Sequence, residues 1–185
     1  FIGATDDNLD ELQAAVGIVG DAHSVPGICG IKVFMGSSTG DLLVDSEASL
    51  TNIFANTAGL IAVHAEDQVR LKSRWPEFEK RCDIAAHAEW RDSETALLAT
   101  QRATRLAQEH QHRLHILHLT SALEADWLVG KTTLPSQSGD DDSEDGAIIT
   151  TEVLPQHLSF DDVDIEREQA RLQMNPPIRS TEDRE

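Results

Sequence analysis

The chain has 185 residues, of which 33 are acidic and 15 basic, giving a net charge of −18 with a hydrophobic fraction of 39%. That balance, without any cluster of Lys and Arg, excludes a phosphate-reading nucleic-acid surface, and no apolar run approaches the roughly 18–20 residues of a membrane-spanning helix. Two cysteines, Cys29 and Cys82, lacking a CxxC spacing, build no disulfide framework and point to a reducing, cytoplasmic setting.

Taken in order, short β-branched runs alternate with helical stretches, the pattern of βα units on a parallel sheet. Residues 1–5 read as the end of a strand already under way. Over residues 6–19, Leu9, Leu12, Val16 and Val19 share one helical face, and Gly20 and Pro26 end it. Residues 30–35 form the next strand, closed by a Gly-Ser-Ser-Thr-Gly loop at 36–40. A helix follows over 46–57, burying Leu50, Ile53 and Phe54, with Gly59 at its C-terminal cap. Residues 60–64 make a strand, followed by a polar segment to Asp92. The next helix, 93–110, carries Ala96, Ala99, Ala103, Leu106 and Ala107 on one face.

A strand is expected over 114–119, then a helix opened by a Ser121/Glu124 capping box, and a last strand over 147–153. Between these two elements, residues 135–146 carry five acids and nothing apolar to bury, the composition of a flexible surface loop. Four strands and a stub, each with a polar residue near its C-terminal end, match the way (β/α)8 barrels carry their chemistry. A full barrel needs about 250 residues. The expectation is therefore an α/β fold, a partial (β/α)8 TIM barrel with about strands three to seven. Residues 1–185 would then be an incomplete barrel domain, internal to a longer protein.

Three residues stand out chemically. Lys32 lies between Ile31 and Val33 in a strand covered on both faces, where an ammonium is costly unless paired or modified. It reads as a lysine reaching out at the strand end or as a neutral amine that captures carbon dioxide. The resulting carbamate is an anion able to bridge two metal ions. His64 closes its strand and shares a face with Leu60 and Ala62. His115 and His118 differ by an odd number and are expected on opposite faces of one strand. His118 becomes the ligand candidate and His115 faces the helical layer. Each histidine alone is more often structural, but one chemical residue on each of three successive strands fits a zinc-type site. Glu152, at most a hydrogen-bonding neighbour, and His157 bracket the last strand without entering the candidate set. His23, His87, His110 and His112 are expected at the surface.

Residues 30–44 (GIKVFMGSSTGDLLV) resemble the strand-four segment of dihydroorotases in the amidohydrolase superfamily. Residues 63–67 (VHAED) resemble their strand-five motif, and 115–121 (HILHLTS) their strand-six motif. Residues 151–158 (TEVLPQHL) and 174–179 (MNPPIR) match the strand-seven region and the segment after it. The resemblance implies Lys32 as the carboxylated bridging lysine, His64 and His118 as ligands of a binuclear Zn2+ site, and Asn175 as a substrate-contacting residue. It implies reversible hydrolysis of L-dihydroorotate to N-carbamoyl-L-aspartate. Also implied are a possible homodimer and a possible association with aspartate transcarbamoylase.

The family's first-strand His-x-His pair would precede Phe1, and its catalytic aspartate would follow Glu185, so residues 1–185 alone are expected to be inactive. Hydantoinases, dihydropyrimidinases and allantoinases share the Lys, His, His skeleton. Asn175 with Pro176-Pro177, and the loop at 36–40, favour dihydroorotase. An inactive relative serving as a scaffold for aspartate transcarbamoylase is the reading from another class.

Overall fold

The computed structural model describes residues 1–38, 40–131 and 149–185. Strand β1 (Ile2–Gly3) leads into helix α1 (Leu9–Val16), and β2 (Gly17–Ile18) with β3 (Asp21–Ala22) forms a small antiparallel hairpin. Next come β4 (Ile31–Phe34), α2 (Glu47–Asn56) and β5 (Leu60–His64), then α3 (Gln68–Phe78), α4 (Ala85–Trp90) and α5 (Ser93–Glu109). The chain continues through β6 (Arg113–Ile116), α6 (Ala122–Leu128) and β7 (Ile149–Thr151) to α7 (Pro155–Ser159), α8 (Asp162–Glu168) and α9 (Thr181–Arg184).

Strands β1, β4, β5, β6 and β7 pair in parallel in that order. A parallel sheet whose spatial order follows chain order, with helices between strands, has the arrangement of a barrel wall. No closed barrel is formed by the described residues.

Parallel register decides which side chains share a face. Lys32 pairs with Ala62, Ala62 with His115, and His115 with Thr150; two residues on, Phe34 pairs with His64. Residues in register on a pleated sheet project to the same side, so Lys32, Phe34, His64 and His115 share one face. The alternate residues Ile31, Val33, Ile61, Val63, Leu114, Ile116 and Ile149 face the helices and are buried. They pack on Leu12 and Val16 of α1, Leu50, Ile53 and Phe54 of α2, and Ala99, Ala103 and Leu106 of α5. Burial of each large side chain contributes about 1.5–3 kcal/mol. Small alanines along α5 let that helix lie close to the sheet.

Several expectations change. Helix α1 ends at Val16 because Gly17 takes a positive φ of 86°, and residues 17–22 turn into the hairpin. The segment after β5 is no plain connector, since it holds α3 and α4. Strand β6 stops at Ile116, before His118. His115 faces the same side as Lys32 and His64, not the helical layer, because register rather than its distance from His118 sets its face. His112 is buried, bonding the carbonyls of Arg113 and Thr57 at 3.0 and 3.1 Å. His87 is half-buried. Ser121 caps α6 as expected, but Glu124 turns inward to the hydroxyls of Thr100 and Ser121. The acidic stretch 135–146 and the first residues of the expected last strand lie outside the described residues.

Asp92 ties the helical layer together. Its carboxylate caps α5 by accepting from the Thr95 N–H at 3.0 Å, and it takes a two-pronged bond from Arg70 at 2.9 and 2.6 Å. Partial burial works against ionisation, but the Arg70 and Thr95 donors hold the carboxyl at about 2. A depressed carboxyl stabilises the fold above its ordinary value of 3.8 and loses that contribution as pH falls toward 2. Asp92→Ala should therefore cost about 1–2 kcal/mol at neutral pH, with the gap to wild type closing between about pH 4 and pH 2. Urea denaturation across that range reads it, and a gap that stays constant down to pH 2 contradicts the assignment.

Candidate metal centre

His64 ends β5 on the inner face, and His118 follows β6 by two residues with a positive φ of 41°. That left-handed backbone swings the His118 ring back over the sheet. Its Nε2 lies 3.0 Å from His64 Nδ1, with ring centroids 4.7 Å apart. Ligand nitrogens of one tetrahedral zinc ion sit about 3.3 Å apart for bonds of about 2.0–2.1 Å, so this spacing is close to that of two ligands on one ion. Lys32 is half-buried on the same face. Its Nζ stands 3.9 Å from the centre of the Phe34 ring, and that ring is 5.8 Å from the His64 ring.

Burial lowers the Lys32 amine to about 7, against the opposing pull of the Glu152 carboxylate. A substantial fraction is then a neutral, nucleophilic amine near pH 7. Burial also pushes His118 down to about 3, helped by the charges of His64 and Lys32. Its ring is neutral at physiological pH, the form in which imidazole binds metals.

Glu66 carries the strongest structural support and is not among the residues singled out by the sequence. It has no exposed surface, and its Oε2 sits 2.7 Å from His64 Nε2 and 2.5 Å from an Arg91 terminal nitrogen. Burial drives its pKa upward, but the bonds and charges of His64 and Arg91 outweigh this and hold the carboxyl below its ordinary value. An ionised acceptor on Nε2 places the ring proton there and turns the Nδ1 lone pair toward His118. This is the carboxylate–histidine arrangement that orients ligands in metal sites.

The close approach that makes this possible needs Gly36, where a Cβ would collide with the Glu66 carbonyl oxygen. The sequence does hold a signal for Glu66, since it lies two residues beyond His64 in the motif at 63–67. Arg91 has none, because it comes from the segment read as a polar connector.

The remaining candidates fall elsewhere. Asn175 is exposed and lies within reach of His87, whose pKa it helps to raise against the lowering effect of burial. His115 bonds the Thr150 hydroxyl at 2.8 Å and faces Glu152 at 3.4 Å. His157 is buried against the Pro176 carbonyl at 3.2 Å. Among the described residues no three His, Cys, Asp or Glu side chains are grouped to hold a metal ion. The donor chemistry of His64 and His118 fits zinc, with Lys32 as the further side chain on that face.

This order of parallel strands and helices is shared with part of several solved structures. The fold matches the whole chain to dihydropyrimidinase from Brevibacillus agri, with a TM-score of 0.76, 23% identity and 37% of that structure covered. In sequence, the allantoinase of Deinococcus radiodurans is 30% identical over 186 residues, 96% of this chain and 37% of the relative. The dihydroorotase of Halobacterium salinarum is 29% identical over 156 residues, 83% of this chain and 32% of the relative. The chain thus spans 32–37% of the length of these curated relatives. No protein-family profile matches it. The sequence relatives include allantoinases and a dihydroorotase, and the comparisons do not single out one of them. Among the described residues, no helix is long and apolar enough to cross a membrane.

The depressed His118 has a direct readout. In metal-free protein its imidazole resonances should stay constant between pH 5 and 8, because the ring is already neutral throughout. A titration of His118 with a midpoint near 6.5 contradicts the burial argument.

Proposed function

We propose that this chain is part of a zinc-dependent cyclic amide hydrolase acting on L-dihydroorotate. The observation that carries the reading is the His64–His118 pair on the inner face of a parallel sheet, beside a lysine whose amine is depressed toward neutrality. His64 and His118 would hold the metal, and Lys32, converted by carbon dioxide to a carbamate, would supply the bridging anion. A zinc ion held by these residues would supply Lewis-acid chemistry toward water and the amide carbonyl. Glu66 fixes His64 in the tautomer that leaves Nδ1 free, and burial keeps His118 unprotonated. Asn175 can donate to and accept from a ring amide.

The choice of dihydroorotate over other cyclic amides rests on the resemblance of residues 30–44 and 174–179 to dihydroorotases. The 30% identical allantoinase favours a second reading, in which allantoin or a hydantoin is the substrate. Assaying the intact protein with zinc and bicarbonate against dihydroorotate, dihydrouracil, hydantoin and allantoin separates the two. Turnover of dihydroorotate at the highest kcat/KM is expected. A preference for allantoin or hydantoin establishes the second reading, and hydrolysis of none of them overturns both.

Lys32→Ala should lower kcat/KM by about 100-fold or more, with partial recovery on adding short carboxylic acids that fill the vacated space. Near-normal turnover of that variant contradicts the carbamate role. Asn175→Ala should raise KM or lower kcat/KM while zinc content stays at the wild-type level, and loss of zinc would place Asn175 among the ligands instead.

A further inference from the structure

A network of buried and half-buried groups runs through the histidine pair, and the functional reading uses only part of it. His118 meets His64 at 3.0 Å, His64 meets Glu66 at 2.7 Å, and Glu66 takes its second donor from Arg91 at 2.5 Å. The Arg91 carbonyl accepts from an Arg179 terminal N–H. The Arg179 Nε donates to the Thr120 hydroxyl at 3.3 Å, two residues after His118. The same Arg91 nitrogen also reaches the Ser37 hydroxyl, just past the exit of β4. One network therefore ties the ends of β4, β5 and β6 to the C-terminal end of α4 and to the segment before α9.

Glu66 is fully buried, and Arg91 and Arg179 are only 5% and 8% exposed. Among the described residues Arg179 has no carboxylate within ion-pair distance. Removing two guanidinium groups and a carboxylate from water costs several kcal/mol per ion before any return. An apolar cluster of the same volume stabilises a fold at least as well. What an apolar cluster cannot do is hold an imidazole at one rotation and one tautomer.

We propose that Arg91 and Arg179 are positioning residues, which act through Glu66 and Thr120 to fix the His64 ring and the loop bearing His118 for metal binding. Arg91 keeps Glu66 aimed at His64 Nε2. Arg179 holds Arg91 by its backbone and the His118 loop by Thr120, so the two histidines cannot separate independently. The inference rests on the reading of His64 and His118 as ligands for its consequence, though the orientation itself exists without metal.

The test reads that orientation first in metal-free protein. Long-range 1H–15N correlation spectra should show wild-type His64 as a single tautomer with its proton on Nε2. Arg91→Met should give a mixture of tautomers, and Arg91→Lys should restore the single form in large part. Arg102→Met, which removes a surface arginine bonded to Glu47, should leave it unchanged. Zinc affinity, measured by competition with a chromophoric chelator, should fall about 10–100-fold in Arg91→Met and recover in Arg91→Lys.

A folded Arg91→Met protein with the wild-type His64 tautomer overturns the proposal. If that variant does not fold, Arg179→Gln is read in the same way: mixed tautomers support the proposal and an unchanged tautomer overturns it. Wild-type protein that takes up no zinc contradicts the metal reading of the site, while the tautomer result still decides the positioning role.

Discussion

Glu66 organises the site from a position with no exposed surface, because its Oε2 must be met by donors and takes both His64 and Arg91, while its Oε1 has no hydrogen-bond partner among the described residues. Its burial brings Arg91 inward from the end of α4, turns His64 so that Nε2 faces the carboxylate, and leaves His64 Nδ1 pointing at His118. The demand reaches back to Gly36, because the Glu66 backbone comes so near the exit of β4 that no side chain fits there. Secondary structure in this region answers to a polar constraint as much as to the apolar layer beneath it.

The apolar layer sets the rest. Parallel strands with both faces covered must send alternate residues to the helices, and here those residues are Ile, Val and Leu throughout β4, β5 and β6. Whatever stands between them is committed to the other face, in register with its neighbours. Lys32, Phe34, His64 and His115 share a surface because the sheet has no other place for them once the core is satisfied. Burial on that surface then shifts the chemistry, drawing Lys32 down toward neutrality and holding His118 unprotonated. The sequence relatives are allantoinases and a dihydroorotase, and both the reaction class and the substrate assigned to this chain are our proposal.

Much of this is legible in the sequence. Alternation of β-branched runs with helical faces announces the βα order, and the alanine spacing of α5 marks its buried side. Lys32, His64 and His118 are each visible as ionisable residues at strand ends. The differences have physical causes. Counting from His118 misplaces the face of His115, because it assumes a strand that continues to residue 119, whereas β6 ends at Ile116. His118 reaches the inner face through a left-handed turn that residue types do not announce. Arg91 and Arg179 cannot be found by spacing, since their role depends on contacts spanning 25 and 59 residues. Polarity alone suggests the surface for His112, yet two backbone carbonyls at 3.0 and 3.1 Å satisfy its ring in the interior. Asn175 is visible by motif alone, and its partner among the described residues is His87.

Whether Lys32, His64 and His118 belong to one metal centre is the point on which the functional reading turns. Anomalous diffraction at the zinc edge, from crystals of the intact protein grown with zinc and bicarbonate, tests it most directly. The expected result is a zinc peak about 2.0–2.1 Å from both His64 Nδ1 and His118 Nε2, with carboxylate density extending from Lys32 Nζ toward it. A zinc peak elsewhere, or an unmodified Lys32 amine with His64 Nδ1 still bonded to His118 Nε2 and no metal between them, would contradict it.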